Sequence, residues 1–134
     1  MSVRAVRGAT QLEVDERDHL LERVAELVTE VLRTNKLDND DLISIVFTAT
    51  SDVHSEFPAY AARLMGMTDV PLLCARELEI GGSMPRVIRL MAHVETDLSR
   101  DDITHVYLHG AAALRRDLAH VYAVPDEPPA PGAT

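Results

Sequence analysis

Four arginine residues lie at the ends of predicted strands, within one strand or on a short predicted helix, in a chain whose formal net charge is −9. Arg7 ends the first predicted strand and Arg115 the last, Arg63 lies on the short helix, and Arg89 lies mid-strand. A guanidinium group holds a carboxylate through two parallel hydrogen bonds. Four such residues in an acidic chain indicate a candidate site for a small anionic ligand.

Arg89 has the least usual surroundings of the four. Its neighbours at positions 87, 88, 90 and 91 are all apolar, and burying an arginine without a partner is costly. From the residues alone three interpretations remain open. This strand face is exposed to solvent, Arg89 forms an internal ion pair with Glu77 or Glu79, or Arg89 binds an anion.

Other kinds of site find little support in the sequence. The six histidines are scattered, without the His-x-x-x-His or Cys-x-x-Cys spacing of metal ligands. Gly81-Gly82 is too short for a phosphate-binding loop. The Ser, Asp and His residues at 51–55 are too close together for a catalytic triad and suit turn capping better. We therefore expect neither a metal nor a cofactor.

The composition limits the classes of binding partner and the cellular location that we expect. An acidic chain lacks the basic footprint of a nucleic-acid binder. No stretch approaches the roughly 20 apolar residues of a membrane helix, and no signal peptide is evident at the N-terminus. Cys74 is the only cysteine, so no intrachain disulfide can form. We expect a cytoplasmic protein that binds neither nucleic acid nor membrane.

The elements that must position these arginines follow from the periodicity. Apolar residues at spacings of three and four predict a helix over 15–34, and Pro58 and Gly66 bracket a short helix over 59–65. Alternating or β-branched runs predict the strands, which are 2–7 (ending at Gly8), 41–50, 70–75, 86–96 and 105–114. We expect one domain over 1–121, followed by a mobile, proline-rich tail over 122–134.

This order predicts an α+β fold, α/β-like in character, with a mixed sheet of about five strands, one long helix and one short helix. One long helix cannot cover both faces of such a sheet. Small domains with an incompletely covered sheet often bury the remaining face against copies of themselves. A homo-oligomer is therefore expected, although the number of copies does not follow from these considerations.

Five segments, in this order, resemble the monofunctional chorismate mutases of the trimeric type. They include Arg-Gly-Ala-Thr at 7–10 and Asp-x-His-x-x-Phe-Pro-Ala-x-x-x-Arg at 52–63. The segments are 3–10, 48–63, 70–78, 86–91 and 105–118. The resemblance implies a homotrimer that forms a pseudo-α/β barrel with active sites between subunits. It also implies the rearrangement of chorismate to prephenate in phenylalanine and tyrosine biosynthesis, without metal or cofactor.

The same resemblance implies the catalytic roles. Arg89 matches the cation that donates to the ether oxygen of the substrate. Arg7 and Tyr107 match the groups that hold its side-chain carboxylate. Glu77 matches the acid near the ring hydroxyl, and Cys74 matches a neighbour of that acid. Taken singly, Tyr107 is more often a half-buried strand aromatic, Cys74 a small core residue and Glu77 a surface acid.

Further positions match the substrate-binding residues of the family. Arg63 and Arg115 match basic residues at the mouth of the site. The residues that match its wall are Phe57, Ala59, Leu72, Leu73 and Leu114. Two positions depart from the family pattern: Leu73 stands where threonine is frequent, and Arg116 where proline is frequent. The alternative function is a trimeric small-anion-binding protein or an imine deaminase-like enzyme with an arginine-lined cleft between subunits.

Overall fold

The computed structural model describes residues 1–115 and 121–124. The chain order is strand, helix, strand, short helix and then four strands. The elements are β1 Ser2–Gln11, α1 Arg17–Thr34, β2 Leu42–Ala49, α2 Pro58–Leu64, β3 Leu72–Arg76, β4 Val87–Thr96, β5 His105–Leu108 and β6 Val121–Val124. Three short 3-10 segments, Asn39–Asp41, Arg100–Asp102 and His109–Arg115, complete the described part.

The strands form one mixed sheet in the order β3-β2-β4-β1-β5-β6. β4 runs antiparallel to its neighbours β1 and β2, whereas the other neighbouring pairs are parallel. The predicted mixed sheet is therefore confirmed. β6 adds an edge strand that extends to Val124, three residues beyond the domain boundary expected at 121. The rest of the predicted tail, 125–134, lies outside the described residues.

α1 packs on one face of this sheet through the apolar stripe that the sequence predicted. Its fully buried residues are Leu20, Val24, Leu27, Val28 and Val31. Gly8 lies beneath the helix, where an added Cβ would meet Leu27 Cδ1 at 3.1 Å and Val31 Cγ2 at 3.2 Å. The glycine therefore serves close helix–sheet packing and does not end the strand as predicted, because β1 continues past it to Gln11.

The strand predicted over 105–114 is only partly correct. β5 ends at Leu108, where His109 adopts a φ of 54° and opens the 3-10 segment. Gly110 lies so close to Gln11 that a Cβ there would clash with the Gln11 side chain. The following alanines have weak strand propensity. Leu114 and Arg115 consequently lie on a 3-10 turn rather than at the end of a strand.

The opposite face of the sheet, here called the open face, carries no α-helix within residues 1–115 and 121–124, and the 3-10 segment covers it near Ala9 and Tyr107. Side chains alternate between faces along a strand, and Gly8 and its partner Leu90 point toward α1. The open face therefore receives Val3 and Arg7 from β1 and Arg89 and Met91 from β4. Val3 and Met91 are exposed, as expected for a sheet that one helix covers on one side.

Candidate active site

A single row of residues crosses the open face and sets the spacing of the candidate site. Successive cross-strand partners in this row are Ala75 on β3, Thr48 on β2, Arg89 on β4, Ala9 on β1 and Tyr107 on β5. The small side chain of Ala9 separates the guanidinium from the phenol. Strand pairing therefore places the Arg89 guanidinium and the Tyr107 phenol two strands apart on the same face.

This row lies at a cleft of about 390 Å³, here called the open-face cleft. The residues that line it are Arg7, Gly8, Val46, Thr48, Arg89, Leu90, Met91 and Tyr107. Three of the five catalytic residues predicted from the sequence, Arg7, Arg89 and Tyr107, thus come together on one face. All three are held by regular strands, which fix side chains more rigidly than loops do.

Glu77 joins this group from the end of β3. Its backbone N–H donates to the Ala49 carbonyl at 3.0 Å. Its Oε2 atom accepts from Thr48 Oγ1 at 2.7 Å and from Arg89 Nε at 3.0 Å. The predicted ion pair of Arg89 therefore exists, and its partner is Glu77. The other candidate acid, Glu79, instead accepts from Ser51 Oγ at 2.6 Å.

The ion pair leaves hydrogen-bond donors of two arginines at the cleft without a partner among the described residues. The Arg7 guanidinium makes no hydrogen bond or ion pair with any described residue, and the terminal nitrogens of Arg89 donate no hydrogen bond to one. Both side chains line the cleft and are only partly exposed. Partly desolvated cations without acceptors suit an anionic ligand. The ion-pair and anion-site interpretations of Arg89 are thus compatible.

Tyr107 and Leu114 form one wall of this arrangement. Tyr107 is 2% exposed and packs in a small cluster with Ala9 and Ala111, against which Leu114 is partly buried. The 3-10 segment therefore brings Leu114 beside the predicted site although it is not part of a strand. The backbone of Arg115 ends this segment. The Arg115 side chain and Arg116 lie outside the described part of the structure.

The remaining predicted residues line a second depression, between α2 and the edge strand β3. This α2 cleft has a volume of about 340 Å³. Its lining residues are Glu56, Phe57, Ala59, Tyr60, Arg63, Leu72, Leu73 and Cys74. None of them lines the open-face cleft. Phe57 and Leu73 are 70% and 62% exposed, which is unusual for large apolar side chains.

Cys74 belongs to the α2 cleft and not to the surroundings of the Glu77 carboxylate. Its strand partner is Phe47, which is fully buried under the helices, and Cys74 itself packs partly against that core. Alternation along β3 therefore points the thiol toward the covered face. Glu77 instead bonds to Thr48 and Arg89 on the open face.

The loop that carries Phe57 is tied to the start of α1. Asp15 accepts from the backbone N–H groups of His54 at 2.8 Å and Ser55 at 3.1 Å. Arg17 Nε donates to Glu56 Oε1 at 3.0 Å, and the Arg17 guanidinium lies 5.5 Å from the Tyr60 ring centroid. These contacts join the α2 cleft to the N-terminus of α1.

Two carboxylates in this tether have pKa values below their ordinary values. Burial raises the pKa of Asp15, but hydrogen bonds from Ser55 and from the His54 backbone outweigh burial, so the pKa lies below its ordinary value. The backbone N–H of Phe57 lowers the pKa of Glu56, and the Arg17 guanidinium lowers it further. Both acids remain charged well into the acidic range.

Sequence reasoning did not identify Thr48 or the Asp15 tether. The sequence signal for Thr48 was the alternation of side chains along its strand. Thr48 shares one face with Ser44 and Val46, whereas the apolar Phe47 lies on the other face. For Asp15 the signal was an acid at the first position of a predicted helix. Neither signal identified the partner, because both partners lie about 30 residues or more away.

Two negative findings apply to the described residues. Among residues 1–115 and 121–124, no group of three His, Cys, Asp or Glu side chains has the arrangement of a metal site. Within the same ranges, no helix has the length and apolar character needed to cross a membrane.

A family model and two curated relatives agree on one protein family for this sequence. The family model for chorismate mutase type I matches residues 3–118. A chorismate mutase AroH of Thermus thermophilus is 44% identical over 117 residues, covering 87% of this chain and 96% of that protein. The chorismate mutase AroH of Bacillus subtilis is 37% identical over 120 residues, covering 89% and 94%.

A solved structure agrees with the sequence relatives. The chorismate mutase from Clostridium thermocellum superimposes with a TM-score of 0.80 at 44% identity, covering 81% of this chain and 96% of that chain. These findings favour chorismate mutase over the deaminase-like or purely anion-binding alternative. Since the family model spans most of the sequence and both relatives align over nearly their whole length, this chain belongs to the type I chorismate mutase family.

Proposed function

We propose that this chain converts chorismate to prephenate in the open-face cleft, within the pathway that makes phenylalanine and tyrosine. The supporting observation is the grouping of Arg7, Arg89 and Tyr107 around a cleft in which Arg7 and the Arg89 terminal nitrogens have no described partner. Chorismate carries two carboxylates, so its charge complements that cleft. Family membership supports the reaction itself.

The reaction is a unimolecular [3,3] rearrangement, in which an ether C–O bond breaks while a C–C bond forms. Negative charge builds on the ether oxygen and positive charge on the ring, and no proton needs to move. The protein has two tasks: it must hold the substrate with its side chain folded over the ring, and it must stabilise the developing charges. Neither task requires a redox centre or a covalent intermediate.

Arg89 has the position and the free donors for the ether oxygen. Its Nε is occupied by Glu77 at 3.0 Å, and its terminal nitrogens are available at the cleft. A donor aimed at this oxygen interacts more strongly with the transition state than with the substrate, so it lowers the barrier. Arg7, with Tyr107 beside the same cleft, supplies donors for the side-chain carboxylate.

Glu77 complements the other end of the charge separation. Its Oε2 accepts from Thr48 and Arg89, while its Oε1 makes no hydrogen bond with any described residue. The free oxygen is suited to accept from the ring hydroxyl of the substrate. Its negative charge also faces the ring as that ring becomes positive.

A second subunit supplies the rest of the site in this proposal. Arg63, Phe57 and Leu73 are exposed around the α2 cleft, which the more buried Ala59 and Leu72 also line, apart from the open-face cleft. The open face around Val3 and Met91, and the exposed Phe57 and Leu73, lack a cover within the described residues. A homotrimer that closes its interfaces in a ring brings the α2 cleft of one copy to the open-face cleft of the next.

The remaining predicted residues take places in the same assembly. Leu114 forms part of the wall beside Tyr107. Arg115, at the end of the 3-10 segment, supplies with Arg63 positive charge for the ring carboxylate. Cys74 lines the α2 side. A cytoplasmic location suits a chain with a single free cysteine, and fractionation of cells that express the chain tests it.

The proposed reaction is tested by following the loss of chorismate absorbance and the formation of prephenate with the purified chain. We expect turnover with excess chelator and without added nucleotide, because the chemistry needs only positioned charges. Activity lost to chelator and restored by a divalent ion contradicts the metal-free mechanism. Absence of turnover in a correctly folded chain contradicts the function itself.

A further inference from the structure

The uncharged side chain of Thr48 contacts Glu77, the candidate catalytic acid, directly. It lies on β2, between Ala75 of β3 and Arg89 of β4 in the row that crosses the open face. Its hydroxyl donates to Glu77 Oε2 at 2.7 Å, one of the shorter side-chain hydrogen bonds in the described structure. Thr48 also lines the open-face cleft.

The two donors to Glu77 use the same oxygen atom. Thr48 Oγ1 and Arg89 Nε both reach Oε2, so Oε1 is left without a described partner. Donors on one oxygen restrict rotation of the carboxylate about its last side-chain bond. They also keep the Arg89 guanidinium turned so that its Nε, and not a terminal nitrogen, meets the acid.

Glu77 needs such an anchor because the chain leaves the sheet directly after its backbone N–H bond to Ala49. β3 ends at Arg76, and the next residue after Glu77, Leu78, is 86% exposed. Thr48, by contrast, lies within a strand that is hydrogen-bonded on both sides. Its β-branched side chain has few allowed rotamers in a strand. The rigid partner is therefore the threonine, and the acid is the group that it holds.

We propose that Thr48 is a positioning residue that fixes the Glu77 carboxylate, so that Oε1 and the terminal nitrogens of Arg89 both face the substrate. This inference rests on the proposed roles of Glu77 and Arg89. Without the hydroxyl, Glu77 keeps its charge and its ion pair but loses one of the two contacts that orient it. The loss falls mainly on the transition state, in which the ring becomes positive.

The first test compares Thr48→Val, which keeps the shape of the side chain and removes the hydroxyl, with Thr48→Ser, which keeps the hydroxyl. A hydrogen bond to a charged group is worth roughly a tenfold factor or more. We expect Thr48→Val to lower kcat about 10-fold, with a smaller change in KM. Thr48→Ser is expected to retain most of the activity.

Ser44→Ala is the matched control. Ser44 lies on the same strand and the same face, and its hydroxyl is 3.4 Å from His93 Nδ1 rather than near Glu77. We expect this variant to keep the wild-type kcat. If Ser44→Ala and Thr48→Val lower kcat equally, the effect is a general loss of strand polarity and the proposal is wrong. Circular dichroism and sedimentation establish that each variant folds and assembles, and Thr48→Ala serves as a second hydroxyl-free variant.

A double-mutant cycle with Glu77→Ala separates this inference from the proposed function. If Thr48 acts through Glu77, Thr48→Val has little further effect once the acid is removed. A full tenfold loss in the Glu77→Ala background, or unchanged kcat for Thr48→Val in the native background, overturns the role of Thr48. Wild-type kcat for Glu77→Ala alone instead contradicts the proposed role of the acid.

Discussion

Arg89 divides its hydrogen bonds between the protein and the cleft. One nitrogen, Nε, is committed to Glu77 at 3.0 Å, and the side chain still lines the open-face cleft. An ion pair that is partly exposed contributes little to stability. We therefore infer that the main effect of this ion pair is to orient the remaining nitrogens of Arg89.

Replacing Arg89 by citrulline removes the charge while preserving nearly the same shape and hydrogen-bonding groups. We expect the variant to fold and bind chorismate, but to lower kcat by about 10²–10³, the effect of losing one preorganised donor in other enzymes. Arg89→Lys is expected to recover little, since it lacks the planar fork. A near-normal kcat with a raised KM for the citrulline variant means that Arg89 only clamps a carboxylate in the ground state.

The chemical identity of these residues was readable from the sequence, but their pairing was not. An arginine in an apolar run is conspicuous, and the family motifs gave the remaining candidates. The contact between Thr48 and Glu77 depends on β2 pairing with both β3 and β4. Pairing between distant strands is decided by the packing of the whole sheet, which local periodicity does not encode.

At the scale of elements, α1 was the most predictable part of the chain. Its apolar residues repeat at helical spacing over 18 residues, and the structure places the helix at Arg17–Thr34. The end of β5 was not predictable in the same way. It depends on His109, whose side chain reaches Glu26 of α1 at 2.6 Å, and on Gly110 against Gln11. These are tertiary contacts, which override local propensity.

The tether between α1 and the loop before α2 is expected to weaken in acid. Asp15 and Glu56 have lowered pKa values in the folded protein. Their stabilising effect is therefore present above the ordinary carboxylate values and is lost as pH falls through the lower folded values, below about pH 4. At pH 7 we expect Asp15→Asn to reduce the free energy of unfolding by about 1 kcal/mol.

Urea unfolding of the wild type and Asp15→Asn at pH 7 and pH 3 measures this effect. The difference between them is expected to shrink at pH 3, because protonation removes the same charge that the substitution removes. Asp69→Asn is a suitable control, since the exposed Asp69 makes no hydrogen bond or ion pair within the described part of the chain. A difference that is constant with pH contradicts the assigned cause.

At the scale of the whole molecule, the division of the site into two clefts predicts complementation between subunits. Arg89→Ala damages the open-face half of a site, and Arg63→Ala damages the α2 half. In a randomly mixed ring, about one quarter of the sites receive both intact halves. Co-refolding the two weakly active variants is therefore expected to restore about one quarter of the wild-type activity.

The control for complementation mixes Arg7→Ala with Arg89→Ala, which both damage the open-face half. No arrangement of these subunits gives an intact site, so we expect the mixture to remain weakly active. Equal activity from the two mixtures contradicts a site shared between subunits. Sedimentation equilibrium tests the assembly directly, and a stable, fully active monomer rules out the proposed trimer.

Side chains along β1 and β4 alternate between the two faces of the sheet, so neighbouring positions in each strand are under different evolutionary constraints. Val6, Thr10, Ile88 and Ala92 meet the helix side, whereas Arg7 and Arg89 meet the open face. Selection for stability therefore acts mainly on one set of positions, and selection for turnover acts on the set between them. Gly8 and its partner Leu90 are positions at which the two meet, because both lie on the helix side and also line the cleft. Sequence drift in the helix packing can therefore proceed along these strands with less effect on substrate recognition than a change at Gly8 or Leu90.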